Sequence, residues 1–354
     1  MKGFGMISVG KPGWLEKCRP VAGPLDAIVK PKIIAACTSD VHTMINGGEN
    51  PDMKNLILGH EAVGEVVEIG NMVKKIKPGD YVVVPSVTPD WMELGVQDGR
   101  STVHDCGLSE SFKFLRRKDG VMGELFHVNN ADANLAMLPD GVSPEAALMT
   151  VDMMTTGFYA VEMADLASGD TVVVIGIGPV GLMSIAGCAI GRAGRIIGVG
   201  TRPVCVKVAK EYGATEIISY KEGDIVEQIL KMTDGVGADR VIIAGGDQNT
   251  FRQAVEMTKA GGIISNVAFF NFSETLSMPA AAWGLGLSTK DIRCGLCPGG
   301  ALRLRKLMEL IKYGRVDAAK LITHRFYGFD QIENAFYLMA EKAPDLIKPI
   351  VYID

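Results

Sequence analysis

Residues 171–202 read TVVVIGIGPVGLMSIAGCAIGRAGRIIGVGTR, and the fold turns on them. An apolar run, Thr171 to Ile175, enters the glycine turn Gly176-Ile177-Gly178-Pro179-Val180-Gly181. A long apolar segment follows, then a second β-rich run, Arg195 to Val199. Strand, glycine loop, helix and strand in that order give a G-x-G-x-x-G match the setting of a dinucleotide site. Gly176 permits the sharp turn, Gly178 lets backbone amides approach a pyrophosphate, and Gly181 lets the helix lie close to the sheet. The diphosphate then sits at a helix N-terminus, where unpaired N–H groups and the dipole favour negative charge. A glycine-rich turn of any parallel-sheet protein is the ordinary alternative.

The pattern continues on the C-terminal side. Strands are expected at 171–176, 195–199, 216–219, 240–244, 262–267 and 290–294, with helices such as Val204 to Tyr212, Asp224 to Met232 and Thr250 to Lys259 between them. Alternating strands and helices imply a parallel sheet covered on both faces, and six strands make the two halves of a doubly wound α/β fold. The second strand also speaks to which dinucleotide. An NAD site places Asp or Glu near the end of this strand, to bind ribose hydroxyls. Here the chain reads Gly198-Val199-Gly200-Thr201-Arg202. Gly200 removes the acid and leaves room for a phosphate, Thr201 donates a hydrogen bond, and Arg202 brings a fixed positive charge. Tyr220, at the end of the next strand, is placed to close over the same group. NADP is therefore expected over NAD.

The first 150 residues are β-rich in short runs: Gly3 to Val9, Ala27 to Ala35, Ala62 to Ile69, Tyr81 to Val84 and Glu124 to Val128. Turn signals such as Lys11-Pro12-Gly13 and Lys77-Pro78-Gly79-Asp80 separate them, the signature of a partly closed antiparallel barrel. Residues 88–120 lack periodicity and read as a long surface loop or lobe. Ser143 and Pro144 suit the N-cap and first position of a helix. After residue 297 the alternation stops. A helix from Ala301 to Lys312, another from Gln331 to Glu341 and a terminal strand, Ile347 to Ile353, return to the first domain and make it discontinuous.

Composition bounds the function. A chain of 354 residues is too long for one ordinary core, and 47% apolar with 22% charged residues describes a globular protein. A net charge of −5 argues against nucleic acid or an anionic membrane as partner. No apolar run is long enough to span a bilayer, and the N-terminus has no signal-peptide core. Seven scattered cysteines fit a reducing cytoplasm better than a disulfide framework.

Three potential zinc donors stand out: Cys37 in ACTSDVH, His60 in LGHEAVG, and Asp152 just before the second domain. Thiolate, imidazole and carboxylate with one open position make a catalytic zinc pattern. Each also has an ordinary reading, as a small core residue, a loop histidine and a helix cap.

Longer motifs decide between these readings. GHEAVGEVVEIG at 59–70 resembles the zinc signature of the zinc-dependent medium-chain alcohol dehydrogenases. The resemblance spans the whole chain and is strongest to the NADP-dependent secondary alcohol dehydrogenases of anaerobic bacteria and protists, through CTSDVHT (37–43), VPSVTPDW (84–91), DMMTTGF (152–158) and GLCPGG (295–300). It implies a barrel-like, GroES-like catalytic domain over residues 1–155 and 297–354, and a Rossmann domain over 156–296.

What the resemblance implies for the site is specific. Cys37, His60 and Asp152 hold one catalytic zinc, Asp152 standing where other alcohol dehydrogenases use a second cysteine. Glu61 makes the set anionic, so it is expected to bind zinc only when the substrate position is empty, or to stand outside the ligands. Ser39 and His42 are the expected proton relay. The pocket is implied to include Ser86, Phe112, Phe269, Leu296 and Cys297, with Phe112 and Phe269 in place of the relatives' Trp and Tyr. Thr38, Thr156, Val267, Ala268, Phe269 and Lys342 join Gly176 to Gly181, Gly200, Thr201, Arg202 and Tyr220 as cofactor contacts. Residues 88–120 contain one cysteine, Cys106, so no second, structural zinc is expected there; Cys294 and Cys297 are read as core or pocket lining. The implied activity is zinc-dependent interconversion of small secondary alcohols and ketones, such as 2-propanol and acetone, and of aldehydes, with NADP(H), by a homotetramer. A polyol or sugar dehydrogenase, a zinc-free NADPH quinone reductase on the same fold, and a catalytically silent NADPH-binding protein are the rival readings.

Overall fold

The structure, a computed structural model, describes residues 1–47, 52–97, 114, 118–270 and 275–354. The chain divides into two compact units: Met1–Thr155 with Pro298–Asp354, and Thr156–Cys297.

The first unit opens with β1 (Lys2–Ser8), β2 (Lys11–Glu16), β3 (Ala27–Ala35), β4 (Lys54–Ile57), β5 (Ala62–Ile69), β6 (Tyr81–Val84), β7 (Phe126–Val128) and β8 (Ala136–Met137). A small antiparallel sheet runs β2-β1-β4. The Lys11-Pro12-Gly13 turn signal is overruled here. Those residues lie within β2, with Gly13 opposite Gly5 and Pro12 opposite Met6. Proline is tolerated because β2 is the edge of its sheet, where a missing N–H leaves no ladder bond open. In the larger sheet β3 pairs antiparallel with both β5 and β7, β5 with β6, and β6 with β8. The 88–120 segment is partly outside the described residues. Its first part is tied down rather than loose: the Asn129 and Asn134 amides donate to the Pro89 carbonyl, and Trp91 Nε1 donates to Asn134.

The second unit carries β9 (Thr171–Ile175), β10 (Arg195–Val199), β11 (Glu216–Ile218), β12 (Ala238–Ile243), β13 (Thr258–Asn266) and β14 (Asp291–Cys294). They form one six-stranded sheet in the order β11-β10-β9-β12-β13-β14, every neighbouring pair parallel. Counted within the unit, that order is 3-2-1-4-5-6, with the switch point beside β9. The helix expected at 250–259 runs instead over Gln248–Met257. Asp247 caps it early by accepting the Asn249 N–H, and the β-branched Thr258 already starts β13 in register with Ala238.

The chain then re-enters the first unit through a helix, Ala301–Lys312, β15 (Ile322–Tyr327), a helix, Ile332–Glu341, and β16 (Lys348–Tyr352). Strand β16 pairs antiparallel with β3, while β15 pairs parallel with β16, a departure from the all-antiparallel expectation. The core beneath these strands joins Phe4, Met6, Ile57, Phe126 and Phe336, all buried, with the Phe4 and Phe336 rings 5.3 Å apart.

Candidate metal centre and cofactor site

Three different local structures carry Cys37, His60, Glu61 and Asp152. Cys37 is the N-cap of the helix Thr38–Asn46. Asp40, at the third helical position, reaches back to accept the Cys37 N–H at 2.9 Å, the reciprocal half of a capping box. His60 and Glu61 lie between β4 and β5, behind Gly59. Gly59 has φ +92°, and a Cβ there would meet Met122 Cγ at 2.6 Å, so only glycine fits the bend that presents His60. Asp152 sits in a π-helical turn, Thr150–Met154, closed by the Met154 N–H donating to Met149 O at 2.9 Å. The turn inserts one extra residue between two α-helical segments, a deformation that recurs at functional sites.

These elements converge. One donor atom from each of Cys37, His60, Glu61 and Asp152 lies within 4.8 Å of the others. Asp152 Oδ2 is 3.3 Å from His60 Nε2 and 3.6 Å from Cys37 Sγ. Glu61 Oε1 is 3.8 Å from His60 Nε2. Ser39 Oγ is 3.3 Å from the same nitrogen. His42 is half-buried on the same helix, three residues beyond Ser39. Thr38 is half-buried at the start of that helix, and Ser86 is buried, its N–H bonded to Val151 O beside the π turn.

Two residues that sequence reasoning missed hold this cluster. Asp40 is fully buried and accepts from Gly59 N–H at 3.1 Å, His60 Nδ1 at 3.0 Å and Cys37 N–H. It fixes the imidazole with Nε2 facing the other donors, the arrangement that prepares a histidine to ligate metal. Lys348, on β16, is also fully buried and pairs with Glu61 Oε1 at 2.5 Å. A faint signal existed for both: an acid three residues after the cysteine, and a lone lysine inside the apolar run Leu346 to Ile350.

The electrostatics fit a divalent cation. Burial pushes the Cys37 thiol up; Lys348 opposes this, and the Glu61 and Asp152 carboxylates add to it. Burial likewise lifts Glu61 to about 7 despite Lys348. Burial would lower His60, but Asp40's charge and its bonds to Asp152 and Asp40 hold it well above its ordinary value. Among the described residues, Glu61 Oε2 is buried with no hydrogen-bond partner. Crowded acids and an orphaned carboxylate oxygen are what a bound metal ion would relieve. Cys37, His60 and Asp152 offer a thiolate, an imidazole and a carboxylate, a donor set suited to zinc.

In the second unit the glycine loop and the end of β10 lie together. Gly176 has φ +88°, and a Cβ there would approach the Gly245 backbone to 2.9 Å. A Cβ on Gly181 would fall 2.0 Å from Gly176 O, so helix Pro179–Ile190 requires glycine to start this close to β9. Pro179 takes the first helical position. Arg202 Nη2 is the nearest group to a Cβ built on Gly178, at 3.7 Å, which puts the guanidinium beside the loop. Gly200 packs against Ile177, where a Cβ would come within 2.3 Å of the side chain. Packing against Ile177 is thus a second reason for glycine at this position, beside the room it was expected to leave for a phosphate. Thr201 donates to Tyr220 Oη at 2.9 Å, and Tyr220 is exposed. Val180 is half-buried in the helix's first turn. Val267, Ala268 and Phe269 follow the carboxyl end of β13, with Phe269 exposed. Thr156, buried, opens this unit, and Leu296 and Cys297, half-buried and buried, end it. Cys294 is exposed, so the core reading holds for Cys297 alone of that pair. Lys342, in the first unit, is exposed in the left-handed region at φ +52°, ending the helix Ile332–Glu341. Phe112 and Cys106 lie outside the described residues.

Residues 23–140 match the alcohol dehydrogenase GroES-like domain, and residues 179–312 match the zinc-binding dehydrogenase family. The chain is 55% identical over 353 residues to the NADP-dependent isopropanol dehydrogenase of Clostridium beijerinckii, covering 100% of both. It is 53% identical to the NADP-dependent isopropanol dehydrogenase of Entamoeba histolytica, covering 100% of this chain and 96% of that one. Among solved structures it resembles zinc dependent alcohol dehydrogenase 2 from Streptococcus pneumonia, with TM-score 0.90 and 25% identity, covering 100% of this chain and 99% of the other. A likeness that runs the length of the chain, on a fold that gathers a cysteine, a histidine and two acids, places it plainly: the chain belongs to the zinc-dependent medium-chain alcohol dehydrogenases.

Proposed function

We propose that the chain interconverts small secondary alcohols and ketones, 2-propanol and acetone being the simplest pair, and also reduces aldehydes, using NADP(H). The observation that carries this is the convergence of Cys37, His60 and Asp152 on one point, in a chain 55% identical to an NADP-dependent isopropanol dehydrogenase. Those three residues would hold a single zinc. Such an ion supplies Lewis acidity, polarising a carbonyl oxygen and lowering the pKa of an alcohol. The hydride chemistry belongs to the nicotinamide.

The chain's own residues do the rest. Asp40 orients His60 so that its Nε2 faces the cluster. Ser39 Oγ, beside that nitrogen, is placed to take the proton of a substrate hydroxyl, and His42 to pass it on. Burial and the Lys342 charge lower the pKa of His42, so its neutral, proton-accepting form persists below the ordinary histidine range. In the other unit, the amides of the glycine loop would hold a diphosphate, and Arg202, Thr201 and Tyr220 form the group suited to a 2′-phosphate. Lys342 adds a further positive charge for the cofactor. Val267, Ala268, Phe269 and Thr156 are assigned to its nicotinamide end, and Ser86, Phe112, Leu296 and Cys297 to the substrate pocket.

One zinc per chain, a homotetrameric assembly and a cytoplasmic location complete the proposal. The cysteines among the described residues are free, in keeping with a reducing compartment. No helix among the described residues is long and apolar enough to cross a membrane. The deciding experiment is a spectrophotometric assay with NADPH or NADH and acetone, acetaldehyde or larger ketones, alongside 2-propanol and sorbitol oxidation and metal analysis. Acetone reduction that prefers NADPH and is lost on chelation supports the reading. Sorbitol oxidation without 2-propanol oxidation, or activity in metal-free protein, would overturn it.

A further inference from the structure

Asp152 stands on the least ordinary backbone of the site. The π turn Thr150–Met154 winds the chain more widely than an α-helix does. Successive residues of an α-helix are turned by about 100° about its axis. If the inserted residue were taken up into regular helix, Asp152 would rotate away from His60 Nε2 and Cys37 Sγ, which its Oδ2 now approaches to 3.3 Å and 3.6 Å. Something outside the turn must hold it open.

Thr155, the buried residue that closes the turn, is where that hold is applied. Its N–H donates to the carbonyl of Asp152 itself. Its hydroxyl donates to Pro298 O at 3.2 Å and accepts from Arg303 Nε at 3.0 Å. Its carbonyl accepts from Arg303 Nη2 at 3.1 Å. Thr155 and Pro298 are also the residues at which the chain leaves and re-enters the first unit, so these bonds tie exit to return.

The position of Arg303 is unfavourable in its own helix. It lies in the first turn of Ala301–Lys312, where the dipole disfavours a cation. The helix packs against the π turn, and its start is pinned: Gly300 has φ +89°, and a Cβ there would meet the Trp91 ring at 2.4 Å. Arg303 is half-buried there, its planar fork spread over two oxygens of one residue, a geometry that a lysine would not reproduce.

We propose that Arg303 is a positioning residue for the metal centre: by holding both oxygens of Thr155, it keeps the preceding turn π-helical and Asp152 aimed at Cys37 and His60. This rests on the metal centre assigned above.

The test is metal binding by the full-length chain, with zinc affinity read by competition with a chromophoric chelator and the cobalt(II)-loaded protein read by its visible absorption. Arg303→Met keeps a long side chain without its donors. It is expected to bind zinc about 10-fold more weakly than wild type, as loss of a group that orients a ligand does, and to shift the cobalt bands. A second arm separates aiming from bracing. Asp152→Ala weakens zinc binding by itself, and adding Arg303→Met is expected to weaken it by no more than a further factor of ~2, because Arg303 acts through that carboxylate. Equal losses from Arg303→Met in both backgrounds would overturn the proposal. So would a variant that melts early yet keeps wild-type zinc affinity and cobalt bands. Should Arg303→Met fail to fold, Thr155→Val decides in its place, since it keeps the shape and removes the hydroxyl. Weaker zinc binding that vanishes in the Asp152→Ala background supports the proposal, and wild-type binding overturns it. A wild-type chain that binds neither zinc nor cobalt would remove the metal centre, and this inference with it.

Discussion

Replacing Asp40 by Asn tests the centre through a residue that is no metal donor. The carboxylate is fully buried and accepts three hydrogen bonds, from the Cys37 N–H, the Gly59 N–H and His60 Nδ1. An asparagine has the same shape but one acceptor and one donor end. In its better orientation the amide oxygen keeps Gly59 and His60, and the NH₂ faces the Cys37 N–H. That strands one buried donor, at about 1–3 kcal/mol, and turns two charged hydrogen bonds into neutral ones, at about 1 kcal/mol each. The sum, about 3–5 kcal/mol, is a large share of the ~5–15 kcal/mol that keeps a domain folded, so the variant should fold but melt early. The metal should suffer separately. Loss of the carboxylate that orients a ligating histidine weakens metal binding by about 10–100-fold, or roughly 1.4–2.8 kcal/mol. The assay is therefore paired: thermal melting of metal-free and zinc-loaded protein, and zinc affinity by competition with a chromophoric chelator. If Asp40→Asn melts early yet holds zinc within a factor of ~2 of wild type, Asp40 only braces the fold, and the argument that it prepares His60 fails.

Three further outcomes are expected. Arg202→Asp removes the fixed charge beside the glycine loop and should raise the KM for NADPH by about 10–100-fold, with little change for NADH; equal changes for both cofactors would show that Arg202 does not meet the 2′-phosphate. His42→Ala should slow alcohol oxidation most at low pH, where hydroxide cannot substitute for the relay, and a uniform loss across the pH profile would remove the relay. Glu145 accepts from Arg325 at 2.9 Å and 3.0 Å and from the Tyr352 hydroxyl. Its carboxyl is held below the usual 4.5, first by the hydrogen bond from Arg325, so the stability it contributes is fully present above that value and is lost as pH falls through the lower, folded one. Glu145→Gln should therefore flatten acid unfolding below about pH 4.5, read by circular dichroism.

The legible part of this protein follows from what each residue type can do alone. Glycine at 176 and 181 announces its loop because a Cβ there would strike the backbone, and the alternation around it yields a parallel sheet. Cysteine, histidine and aspartate announce a metal because few other roles use them together. Errors fell where tertiary context outweighed local preference: Pro12 and Gly13 lie in a strand because β2 is an edge, and Thr258 begins a strand where helix periodicity ran on. The π turn that carries Asp152 left no signal, since Thr150–Met154 has the composition of an ordinary helix.

The hidden part of the site is its support. Asp40 reads as a helix-capping acid, and nothing local tells that its second oxygen holds a histidine twenty residues on. Lys348 reads as the polar residue of a terminal strand. Its partner is 287 residues away and becomes its neighbour only because β16 lays down beside β3, while β5, which starts just after Glu61, pairs with β3 on its other side. Donor atoms can be recognised by type, but the charges that decide which donor reaches the metal are set by which strands become neighbours. That is why the sequence names Glu61 as a candidate ligand but not the charge beside it, which the fold supplies by laying the buried Lys348 against its carboxylate.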